Sequence, residues 1–83
     1  IQDYTTGEIF ALFKREGWHV IKQVETDSGE TLGSFKLLHR YTDNLRINDG
    51  WAYYTYRPFE SSQKKFLYKE QINLTPAVTK NLN

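Results

Sequence analysis

The 83-residue sequence contains no cysteine. That excludes disulfides, thiolate zinc sites and a thiol nucleophile. It has no apolar run near the ~20 residues that a membrane-spanning helix needs. It has almost no net charge, with 11 Lys and Arg against 10 Asp and Glu. Proline occurs only at Pro58 and Pro76, and there is no repeat, low-complexity tract or linker. Hydrophobic residues make up 39% and charged residues 25%, the balance of a folded globular chain and not of a disordered one. A chain this short holds one core. Residues 1–75 read as a single domain and 76–83 as a C-terminal tail.

What is abundant is aromatic. Thirteen rings, 16% of the chain, are present, and seven of them lie between Trp51 and Tyr68. Charge is tilted along the sequence: residues 1–42 carry five cations and six anions, and residues 43–83 six and four. The second half is therefore compatible with an anionic partner without requiring one.

Local patterns predict one helix followed by strands. Thr5 and Glu8 have capping-box spacing, Tyr4 and Ile9 have staple spacing, and Ile9, Phe10, Leu12 and Phe13 form a stripe at helical period. Lys14 and Arg15 suit a helix C-terminus and Gly17 can end it, so a helix is expected from Thr6 to Glu16. Trp18–Glu25 and Thr31–Tyr41 read as strands joined through Thr26–Glu30. Leu45–Ile47 reads as a short extended piece between turn signals at 42–44 and 48–50. Trp51–Arg57 has the strongest strand composition, and Pro58 ends it. A polar loop follows at 59–65, and 66–74 is read as strand in preference to helix.

The expected fold class is α+β, with the N-terminal helix packed on one face of a three- to four-stranded antiparallel sheet. Its core is expected to take Ile9, Phe10, Leu12, Phe13, Trp18, Val20, Phe35, Leu37 and part of the Trp51–Tyr56 strand. A helix and three strands, the Gly17-Trp18 step and Ser61–Lys65 ahead of a final segment resemble, in topology alone, a double-stranded RNA-binding domain and the related small ribonuclease toxins. The toxins' Gly-Ser-His motif is absent, so the resemblance implies no catalytic histidine here.

Motifs that carry chemistry are sparse. His19 and His39 are the only histidines and lack the further ligands of a metal site. Ser34 and His39 are an odd number of residues apart, which puts them on opposite faces of a strand. No Gly-x-Ser-x-Gly elbow or phosphate-binding glycine loop occurs. Glu25, Asp27 and Glu30 share a hairpin tip and read as a solvated turn, and Asn73-Leu74-Thr75 is a common chance triplet. No enzyme activity, cofactor or metal is expected.

The segment Trp51–Phe59 stands out instead. Alternation sends Trp51 and Tyr53 one way and Tyr54 and Tyr56 the other. A single helix shelters one sheet face, so one ring pair is expected on the open side. The candidate binding residues are Trp51, Tyr53, Tyr54, Tyr56 and Arg57, with Arg40, Arg46, Lys64 and Lys65; Lys69 is a further cation near them in sequence. Tyr, Trp and Arg are the usual anchors of protein interfaces. The expected function is a small non-enzymatic binding module acting by protein–protein interaction or self-association through this face. The alternative is single-stranded nucleic acid or RNA binding, with bases stacked on the rings and cations on phosphates.

Overall fold

The computed structural model describes residues 1–77, and its regular elements are all β. The strands are β1 (Ile9–Arg15), β2 (Trp18–Val24), β3 (Thr31–Lys36), β4 (Thr42–Asn48), β5 (Trp51–Tyr56), β6 (Phe66–Gln71) and β7 (Thr75–Pro76). They form two antiparallel sheets, one of four strands in the order β1-β2-β3-β7 and one of three in the order β4-β5-β6. Each sheet contains a two-residue hairpin. Glu16-Gly17 joins β1 to β2 with φ of 52° and 84°, and Asp49-Gly50 joins β4 to β5 with φ of 51° and 78°. Two successive positive φ values make the primed turn whose twist matches the strands it connects.

The expected α+β class, with a helix at Thr6–Glu16, is therefore wrong, and the resemblance built on a leading helix falls with it. The capping-box residues make other bonds. Thr5 Oγ1 donates to Asn48 Oδ1 at 2.5 Å, and Thr6 Oγ1 donates to Glu8 at 3.0 Å. The amides of Thr5 and Thr6 go to Asp3 Oδ1. Tyr4 is 74% exposed and staples nothing. Gly17 serves a hairpin turn, not a helix end. Ile9, Phe10, Leu12 and Phe13 also satisfy period two, with Phe10 and Leu12 on the inner face and Ile9 and Phe13 on the outer. Helix and strand readings share this pattern, and antiparallel partners decide between them.

The two inner faces pack on each other. Phe10 and Ile21 from the four-stranded sheet meet Ile47 from the other, while Leu37 meets Ala52 and Tyr54. Phe35, Leu45 and Ile72 touch both groups and join them into one core. Ile21 and Ile47 are fully buried, each worth about 1.5–3 kcal/mol relative to exposure. The expected core was right for Phe10, Leu37 and the inner part of β5. It was wrong for Leu12 and Phe13, which are exposed, and it put Trp18 and Val20 inside where His19 and Ile21 of β2 go. β2 carries more apolar residues on its outer face (Trp18, Val20, Val24) than on its inner one (Ile21), so composition alone points to the wrong face.

The crossovers between sheets are pinned. After β3, the Leu37 amide donates to His19 O and the Tyr41 amide to Gly17 O, and the chain then enters β4. After β6, Thr75–Pro76 returns to pair with Gly33 and Ser34, where a side chain at Gly33 would meet Thr75 O at 3.0 Å. Positions 78–83 of the expected tail lie outside the described residues.

Candidate functional site

The rings of β5 divide as alternation requires. Tyr54 and Tyr56 point inward, Tyr54 being 2% exposed. His39, in the crossover after β3, stacks flat on Tyr56 with centroids 3.7 Å apart and meets Tyr68 edge-on at 4.4 Å. Tyr54 and Tyr68 are 5.8 Å apart across the β5–β6 pair. Such contacts are each worth about 0.5–1.5 kcal/mol beyond area burial. Tyr54 and Tyr56 therefore tie β5 to β6 and to the crossover that links the two sheets.

Glu70 completes that cluster. Its Oε2 accepts the Tyr54 hydroxyl at 2.6 Å and the Leu38 amide at 2.9 Å, tying β5, β6 and the crossover at one carboxylate. Burial, then the adjacent Glu70, push the Tyr54 phenol well above its usual range. It is a fixed donor and not a proton-transfer group at neutral pH.

The outer face of the three-stranded sheet carries the other pair. Tyr53 is 38% exposed and stands between Arg46 on β4 and Lys69 on β6 in the cross-strand register. Trp51 is half-buried, and Lys69 Nζ lies 5.5 Å from the centre of its ring. Leu67, opposite Thr55, is 86% exposed. Asn44, Arg46, Tyr53, Thr55 and Leu67 line a shallow open recess. Lys69, noted among the nearby cations but not among the candidate binding residues, belongs to this face, and Leu67 was legible only as an alternate residue of Phe66–Gln71.

The remaining candidates are dispersed. Lys65 pairs with Asp43 at 3.6 Å, and Lys64 is exposed in the loop that Ser62 braces. Arg57 is half-buried beyond the end of β5, its amide bonded to Tyr41 O. Arg40, in the crossover between β3 and β4, lies against the β1–β2 hairpin, donating from Nε to Glu16 O at 2.7 Å and covering the Trp18 and Tyr41 rings. Of the residues named from sequence, only Trp51, Tyr53 and Arg46 share one open surface.

The histidines do not meet as a site. His19 is buried, and its Nδ1 shares a 2.6 Å hydrogen bond with Thr42 Oγ1 between the two sheets. Burial first, then the charge of Lys14, lower its pKa below the ordinary 6.5, against the opposing pull of Asp43. The unfolded chain thus takes the proton first on acidification. The stability held by neutral His19 is complete above about pH 6.5 and is lost as pH falls below it. Urea midpoints are expected to drop between pH 7.5 and pH 5, and His19→Asn is expected to reduce that drop.

Among the described residues, no three His, Cys, Asp or Glu side chains are grouped to hold a metal ion. Glu25 is engaged in its own turn, accepting from the Asp27 and Ser28 amides. No protein-family model, curated protein or solved structure matches the chain.

Proposed function

We propose that the domain is a non-enzymatic binding module whose partner is a second copy of the same chain, joined through the free edge of β6. The observation that carries this reading is Leu67, 86% exposed on a strand that has β5 on one side and, among the described residues, no strand on the other. Sheet edges are ordinarily blunted by charges that obstruct pairing. Here both charges of β6 are drawn away from the edge. The Glu70 carboxylate is held inward by Tyr54 and Leu38, and Lys69 leans back over Trp51. Two copies related by a two-fold axis would pair β6 with β6, extend each three-stranded sheet to six strands and cover Leu67. The Trp51, Tyr53 and Arg46 face would then continue across the join.

Light scattering on the full chain after size exclusion, over a range of concentrations and at two salt levels, tests this. Size is expected to rise with concentration and to respond little to salt. Leu67→Lys, at a side chain that contributes little to the core, is expected to give a monomer whose unfolding midpoint equals the parent's at the dilution where the parent is itself monomeric. A monomer at every concentration, or association that survives Leu67→Lys, would overturn the proposal. Association that collapses with salt would point to charge instead of edge pairing and would also overturn it.

A further inference from the structure

On the opposite side of the molecule, the outer face of the four-stranded sheet carries a second set of rings and cations. The register puts Phe13 beside Val20 and Lys36, and Arg15 beside Trp18. Lys22 Nζ lies 4.6 Å from the Phe13 ring centre and Lys36 Nζ 4.1 Å from that of Trp18. The Arg40 guanidinium lies 5.6 Å from the Trp18 ring and 5.0 Å from that of Tyr41. From Ile9 to Arg15, with their partners on β2 and β3, this face bears no carboxylate. Among the described residues the one ion pair is Lys65–Asp43, so Arg15, Lys22, Lys36 and Arg40 have no carboxylate within bonding distance. By contrast, the open face of the other sheet has two cations, Arg46 and Lys69, and at its end an Asp43 that is already paired.

We infer that this face binds the backbone of a single-stranded nucleic acid, with phosphates on Arg15, Lys22, Lys36 and Arg40 and a base against the half-exposed Phe13. Four cations with no ion-pair partner among the described residues attract an extended polyanion, Glu16 in the adjoining turn being the acid next to them in sequence. Three of them rest on rings, which limits the side-chain freedom lost when a phosphate arrives. Arg40 uses Nε on Glu16 O and keeps its terminal nitrogens for a forked contact with phosphate oxygens. Phe13 is 50% exposed and offers ring surface beside Lys22, the combination by which single strands are held without sequence preference.

A fluorescently labelled oligothymidylate of about a dozen nucleotides, titrated with the full chain, tests the inference. Four released counterions give a slope of about −3 in log K against log salt, or a roughly 50-fold loss from 50 to 200 mM. Lys22→Gln with Lys36→Gln is expected to flatten the slope by about 1.4. Phe13→Ala is expected to weaken binding about tenfold at constant slope. Ser61→Ala, in the exposed 59–65 loop, is expected to leave binding unchanged, and the titration is run at a concentration where the chain is monomeric by light scattering, so failure here is separable from failure of the edge-pairing reading. Absence of binding at 50 mM salt would overturn the inference, as would a slope unaffected by the double variant. Equal affinity for a sulfated polysaccharide, indifferent to Phe13→Ala, would mark a general polyanion surface and overturn the assignment to nucleic acid.

Discussion

Replacing Asp3 by alanine is expected to destabilise the domain by about 3 kcal/mol and to lower Tm by more than ~10 °C. Asp3 is 1% exposed and, among the described residues, forms no ion pair. Its Oδ1 accepts the amides of Thr5 at 2.8 Å, Thr6 at 3.0 Å and Asp49 at 2.8 Å, and its Oδ2 accepts the amide of Gly50 at 2.8 Å. Two donors belong to the turn that leads into β1, and two to the β4–β5 hairpin of the other sheet. One side chain therefore closes a local turn and clasps the sheets together. Four amides converging on one carboxylate supply the compensation that a buried charge requires. Without it they are left unpaired, in a domain whose whole stability is roughly 4–12 kcal/mol. Asp3→Asn is expected to lose much of the same, because an amide nitrogen at the Oδ2 position faces the Gly50 N–H donor to donor.

The same carboxylate governs acid stability. Burial alone would raise its pKa, but the amides of Thr6, Gly50, Asp49 and Thr5 outweigh that and hold it well below the ordinary 3.8. The unfolded chain binds the proton first as pH falls. The contribution of Asp3 is complete above about pH 3.8 and is lost progressively below it. Urea midpoints for the parent chain are expected to fall between pH 5 and pH 2.5, and Asp3→Asn to show a shallower fall. Parallel curves would contradict the clasp.

Gly17→Ala is expected to cost about 3 kcal/mol in denaturant unfolding, where Gly29→Ala costs about 1. Both glycines have positive φ, 84° and 75°. At Gly29 a side chain meets nothing within 4 Å, so only the backbone strain applies. At Gly17 a Cβ would lie 2.6 Å from Cε1 and 2.8 Å from Cδ1 of the Tyr41 ring. That ring is held by its own chain, since the Tyr41 amide bonds Gly17 O and the Arg57 amide bonds Tyr41 O. The ring has little room to retreat, so the overlap adds to the strain. Equal costs at the two positions would contradict the packing described for the Gly17 hairpin.

The strands β2, β5 and β6 and the turns at Thr26–Glu30 and Asn48–Gly50 were legible in the sequence because turn chemistry and period two act locally. The split of Trp51 and Tyr53 from Tyr54 and Tyr56 was legible for the same reason. The N-terminal region misled because three features supported a helix together: Thr5–Glu8 spacing, a doubly periodic apolar run and a glycine at its end. The stronger signal was Asp3, followed by Thr5, Thr6 and Gly7, a sequence suited to an aspartate-capped turn. Its other role, on Asp49 and Gly50, comes from a distance of more than forty residues and has no local signature. Cation placement failed likewise. Arg40 is close to β5 in sequence but folds onto Trp18, and Lys69 is separated from Trp51 by a loop yet covers it. In sequence Glu70 interrupts an apolar alternation of Phe66, Tyr68 and Ile72, and in the fold that position places a carboxylate under the Tyr54 hydroxyl.

The most direct test of the account is residue-resolved amide hydrogen exchange on the full chain over a concentration series. If β6 is the meeting edge, the outward-facing amides among residues 66–71 are expected to gain protection as concentration rises, while those of the β1–β2 hairpin stay unchanged. Concentration-independent exchange along β6, or protection that appears on another strand instead, would contradict it.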